Sequence, residues 1–139
     1  MLAVLGCSGC TMFVHTLPVP YQAGKAVPAD RVLAYQEQAS GYAHMVVTRD
    51  KGVMGSGCYI GVVIAGKLAG RFGPSETASF YVPANTTDMA TVPDPKGRGL
   101  CKLGWNPVPE HYVLKTDGLN LFRISLGAYR RPRLTPAVY

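Results

Sequence analysis

The residues able to do chemistry in this 139-residue chain are four cysteines and three histidines, and their spacing separates thiolate, metal and structural roles. Cys7 and Cys10 form a Cys-x-x-Cys step inside an apolar, small-residue stretch, Met1–Cys10. A zinc knuckle needs a second ligand pair. No second Cys-x-x-Cys follows, and His15, His44 and His111 form no i, i+2 or i, i+4 pair, so no metal is expected. Cys58 and Cys101 lie far apart in the body of the chain. In an oxidising compartment they would pair with each other; the alternative is a thiolate activated by His44 or His111. The leader favours the oxidising compartment and hence the pair. The eight acids show no recurring pairing, and neither a Gly-x-Ser-x-Gly elbow nor a phosphate-binding Gly-x-x-x-x-Gly-Lys-Ser/Thr loop is present. No catalytic residue and no cofactor are therefore expected.

Met1–Cys10 reads as the last part of a secretory signal: an apolar run, then small residues, then cysteine. Such a segment is similar to a bacterial lipobox, in which the cysteine is acylated and becomes the first residue of the mature protein. Ser8-Gly9-Cys10 supplies the small residues for acylation at Cys10, and Val4-Leu5-Gly6-Cys7 is the alternative site. The expected location is the bacterial cell envelope, lipid-anchored and facing the periplasm, with the membrane engaged through that lipid. The net charge of +6 comes mostly from singly scattered basic residues, which serves solubility, so nucleic acid is not an expected partner.

The elements that must position these residues are strands. Sixteen glycines and eleven prolines spread along the chain suit short strands joined by turns. Residues 11–40 read as a Pro-containing linker with one short helix over Asp30–Ser40, capped by Asp30 and ended by Gly41. Residues 41–139 form the domain. Its centre is a hairpin over Gly57–Phe72, turning at Ala65-Gly66-Lys67, with Leu68, Gly70 and Phe72 on one face. Further strands are expected at Ala43–Thr48, Ala78–Val82, Thr87–Val92, His111–Thr116, Leu119–Leu126 and Leu134–Val138, with Asp117-Gly118 as a second hairpin turn. This pattern predicts an all-β fold: a small antiparallel β-sandwich of immunoglobulin or transthyretin type, with a short helical turn near the N-terminus.

The order of signals over Ala43–Pro83 resembles a known family. An opening strand ends in Arg49-Asp50, then come Gly55-Ser56-Gly57-Cys58, the Val62–Ala69 hairpin and Ser79-Phe80-Tyr81-Val82-Pro83-Ala84. These resemble small bacterial lipoproteins of the uncharacterised DUF2846-like type. The resemblance implies a sandwich behind a lipobox and an envelope location. Ala65 stands where the family's turn has Asp, and Asn85-Thr86-Thr87 replaces its Gly-Glu/Gln-His step, so any role of that step is not carried over.

Two segments could hold a partner. Trp105 sits in a Gly/Pro loop, and Tyr129-Arg130-Arg131-Pro132-Arg133 is the one basic cluster. Trp, Tyr and Arg dominate interface hot spots, so Trp105, Tyr129, Arg130, Arg131 and Arg133 are the candidate contacts for another protein in the envelope. The bland alternative is a Trp capping the end of the sandwich and arginines guarding an edge strand. A second functional reading is a small-ligand or lipid pocket between the sheets, lined by Phe80, Tyr81 and Phe122.

Overall fold

The structure is a computed structural model that describes residues 16–52, 57–86, 88–126 and 131–138. Nine strands form two sheets: β1 Lys25–Ala26, β2 Tyr42–Arg49, β3 Ile60–Ile64, β4 Lys67–Phe72, β5 Glu76–Pro83, β6 Asp88–Pro93, β7 Glu110–His111, β8 Leu119–Ser125 and β9 Arg133–Pro136. The first sheet has the order β1-β5-β2-β8-β9 and the second β4-β3-β6-β7. Period-two alternation turns one face of each sheet inward. Met45 and Val47 of β2, Phe80 and Val82 of β5, and Phe122 and Ile124 of β8 face Ile60, Val62, Ile64 and Phe72 across the interior. The all-β sandwich expectation holds: antiparallel pairs predominate, with two parallel pairs among them. β1 runs parallel to β5, and β8 runs parallel to β2.

The second parallel pair overturns the hairpin expected at Asp117-Gly118. β7 belongs to the second sheet, beside β6, whereas β8 belongs to the first, so Asp117-Gly118 lies on a crossover between sheets. The expected strand over His111–Thr116 shortens to Glu110–His111. The crossing chain is pinned by the buried Asn120 side chain. Its Oδ1 accepts the Lys115 N–H at 2.7 Å, and its Nδ2 donates to the carbonyls of Lys115 at 2.9 Å and His44 at 3.0 Å.

The central hairpin is present. Ala65 and Gly66 both take positive φ, 50° and 78°, the twist that two-residue hairpin turns need. Its register shifts after Val62: Val62 pairs with Gly70 and Val63 with Leu68, leaving Ala69 as the extra residue of a bulge. The bulge corrects the expected face. Gly70 and Phe72 look inward, but Leu68 lies outside, next to Gly61, where an added Cβ would also come within 2.6 Å of Val92.

No helix forms over Asp30–Ser40. A 3-10 turn spans Ala29–Arg31 only, and the chain then becomes a strap along the free edge of β4, where the Leu33 N–H donates to the Ala69 carbonyl at 2.8 Å. One or two helical turns have little stability of their own, so tertiary hydrogen bonds decide the outcome. Nor is the described part of 11–40 a free linker. Leu17 and Lys51 exchange backbone hydrogen bonds at 2.8 and 3.0 Å, β1 lies against β5, and Val19 and Val27 are buried. The described chain is thus part of the sandwich from Thr16 onward. Cys7 and Cys10 lie outside the described residues.

Candidate functional site

The C-terminal ends of β2, β4, β6 and β8 gather at one end of the sandwich, and the disulfide marks it. Cys58, just before β3, is bonded to Cys101 in a 3-10 turn over Gly99–Lys102, with their Cα atoms 5.4 Å apart. Neither sulfur is a thiolate in this state, and the two described histidines lie elsewhere: His44 on the outer face of the first sheet, His111 2.7 Å from Asp88 at the start of β6. The cysteine–histidine nucleophile is therefore not assembled.

Buried cations tie this end together. Arg49 sits at the inward end of β2, and its guanidinium donates to the carbonyls of Cys58 at 3.0 Å and Phe72 at 2.7 Å, linking the two sheets. Burial pushes its pKa down to about 10, with Glu76 opposing that shift. Arg31 makes a bidentate pair with Glu76, at 2.6 and 2.9 Å, and Arg71 a bidentate pair with Asp94, at 2.7 and 2.9 Å. The Tyr59 ring lies against both guanidiniums, 3.9 Å from that of Arg31 and 5.1 Å from that of Arg71. Burial works against ionisation of Glu76, but hydrogen bonds from Arg31 and the Gly73 N–H outweigh it and hold the carboxyl below the usual range. Arg71 holds Asp94 low in the same way, against burial. Asp50 is likewise spent, accepting from Arg123 and, at 2.7 Å, from the Thr16 hydroxyl. Sequence spacing gives no hint of these pairs, whose partners are 23 to 73 residues apart.

With Asp50, Glu76 and Asp94 held by arginines, this end presents, among the described residues, cations and leucines beside one exposed acid, Asp30. Lys51, Lys96, Arg98 and Lys102 are exposed and have no ion-pair partner among the described residues. Leu17, beside Lys51, and Leu100 and Leu103, on the turn with Lys102, are exposed by 57%, 81% and 67%. Trp105 stands on the same loop, half-buried against the core, with its indole N–H donating to the Thr91 carbonyl at 3.1 Å. It walls a mostly apolar depression of about 330 Å³ over the disulfide, together with Tyr59, Pro93, Leu100 and Leu103. Of the basic cluster, Arg131 is half-buried, Arg133 is engaged with Glu110, and Tyr129 and Arg130 lie outside the described residues.

A second feature lies on the outer face of the first sheet. His44 stacks on Tyr81 at 4.7 Å between ring centroids, and both face outward with Tyr42 and Leu119 nearby in register. A cleft of about 380 Å³ opens here, lined by Tyr21, Val32, Gln36, His44, Ser79 and Leu119. Among the described residues, His44 Nε2 is the one buried side-chain nitrogen or oxygen without a hydrogen-bond partner. Phe80, Tyr81 and Phe122 do not line one pocket between the sheets: Phe80 and Phe122 are core residues, and Tyr81 is on the outside. No family model, curated protein or solved structure matches this chain.

Proposed function

We propose that the chain is a non-catalytic cell-envelope lipoprotein whose β-sandwich binds another protein, held at the periplasmic face of a membrane through acylation of Cys10 or Cys7. The lipobox-like leader supports the anchor, and a disulfide in so small a domain supports an oxidising compartment. The DUF2846-like resemblance of Ala43–Pro83 agrees with both.

The observation that carries protein binding is the unpartnered Nε2 of His44, set among tyrosines on an outward sheet face. Leaving a buried polar group unpaired costs about 1–3 kcal/mol, a cost retained where function needs the group. Tyr21, Tyr42 and Tyr81 are the residue type that interface hot spots favour. The partner then rests on the first sheet near the start of β2 and β8, away from the disulfide end. A small molecule in the cleft is the second reading, since its volume of about 380 Å³ lies in the range of small-ligand sites.

Intact mass of the envelope-expressed protein, with and without reductant, tests anchor and compartment together. An acyl mass increase on a chain starting at Cys7 or Cys10, with a two-hydrogen gain on reduction, is the expected result. An unmodified chain with free thiols overturns the lipoprotein reading. For the partner, a photo-crosslinking residue at Leu119 in intact envelopes should yield one protein adduct, lost in the His44→Phe variant. An adduct insensitive to that change, or no adduct, counts against this surface. His44→Phe should itself fold and melt at a higher temperature than the parent, because the unpaired nitrogen is gone.

A further inference from the structure

We infer that the disulfide end of the sandwich docks directly on the surface of an anionic phospholipid bilayer, with Leu17, Leu100 and Leu103 entering the acyl boundary and Lys51, Lys96, Arg98 and Lys102 meeting the headgroups. This contact needs neither the acyl anchor nor the protein partner.

Three independent features converge. The first is exposure: Leu100 and Leu103 stand at 81% and 67% on a turn tied down by Cys101, and Leu17 at 57% is bonded through its backbone to Lys51. Apolar side chains held out on a rigid loop lose nothing in loop ordering when a membrane buries them. The second is charge. Of the described acids at this end, Asp50, Glu76 and Asp94 are each held by an arginine and Asp30 is exposed beside Arg31, so four exposed cations, Lys51, Lys96, Arg98 and Lys102, stand against one exposed acid. Alternation along Lys96-Gly97-Arg98-Gly99-Leu100-Cys101-Lys102-Leu103 puts cations and leucines on one turn, the composition of interfacial membrane contacts.

The third feature is chain direction. Thr16 enters at this same end, where its backbone N–H donates to Leu126 and its hydroxyl to Asp50. The segment bearing Cys7 and Cys10 therefore joins the domain on the docking side. The Tyr42–His44–Tyr81 face is left free on the outer side of the first sheet.

The test uses the full chain with Cys7→Ser and Cys10→Ser, so that no acyl group contributes, and with Cys58–Cys101 intact. Vesicles of phosphatidylethanolamine and phosphatidylglycerol should sediment it. Neutral phosphatidylcholine vesicles should bind it about tenfold less, and raised salt should release it. Trp105, the single tryptophan, reports the loop: brominated acyl chains should quench its fluorescence. Either Lys96→Gln/Arg98→Gln/Lys102→Gln or Leu100→Ser/Leu103→Ser should reduce binding about tenfold or more. Lys67→Gln/Lys115→Gln, at the other end, should leave it unchanged. Equal binding to neutral vesicles, equal loss in the two charge variants, or no binding at all by a folded protein overturns the proposal. Vesicle-independent binding of Leu100 and Leu103 to a protein would overturn it equally, and would move the partner surface to this end.

Discussion

Tyr59 shows how much of this site is decided by single side chains. It follows Cys58 in sequence, and its ring rests against Arg31 and Arg71, whose own partners are Glu76 and Asp94. Because both carboxyls titrate below their ordinary range in the folded protein, their stabilising effect is complete above the unfolded pKa of about 4 and is lost as pH falls through the lower folded values. Thermal denaturation from about pH 6 to about pH 2 should show the midpoint falling below about pH 4. In Glu76→Gln/Asp94→Asn the protein should be less stable at neutral pH by about 1–3 kcal/mol, and its acid-side slope should flatten. An unchanged slope would mean that other carboxylates control acid unfolding.

Among the elements, the β3–β4 hairpin has a turn whose chemistry is imperfect. Ala65 is held at φ 50°, a left-handed conformation that alanine adopts at a cost and that asparagine or glycine tolerates better. Ala65→Asn should raise stability by about 0.5–1 kcal/mol, read as a higher urea midpoint with an unchanged slope. A fall would show that the Ala65 methyl packs usefully. Gly66, at φ 78°, should not accept a side chain without loss. The hairpin was legible because Ala65-Gly66-Lys67 lies between two β-branched or apolar runs. The bulge at Ala69 was not, since the Ala69 carbonyl is met by the Leu33 N–H of a strap far off in sequence.

At the scale of the whole molecule, the disulfide spans 43 residues and joins the start of the central hairpin to the loop between β6 and β7. Closing a loop of that length contributes about 3–4 kcal/mol by restricting the unfolded chain, a large fraction of a small domain's stability. The Cys58→Ser/Cys101→Ser variant should melt well below the parent, and reductant should lower the parent's midpoint but not the variant's. Equal midpoints would assign the stability of this end to Arg49, which also bridges the two sheets there.

Local pattern alone determined that this chain is a β-sandwich, where most of its strands run, and that Cys58 would find Cys101. Alternation and turn residues are properties of neighbouring positions, and the cysteine pair was the expectation for an oxidising compartment. Tertiary structure decided the rest. Only packing shows that Asp117-Gly118 crosses between sheets, because the His44 carbonyl that Asn120 meets and the seat beside β2 lie elsewhere in the chain. Only packing turns Asp30–Ser40 from helix into strap. It also pairs Asp50, Glu76 and Asp94 with distant arginines, and leaves the cations and leucines around Cys101 facing outward. Burial and ion pairing depend on which distant residues meet, and no local spacing in the sequence records that.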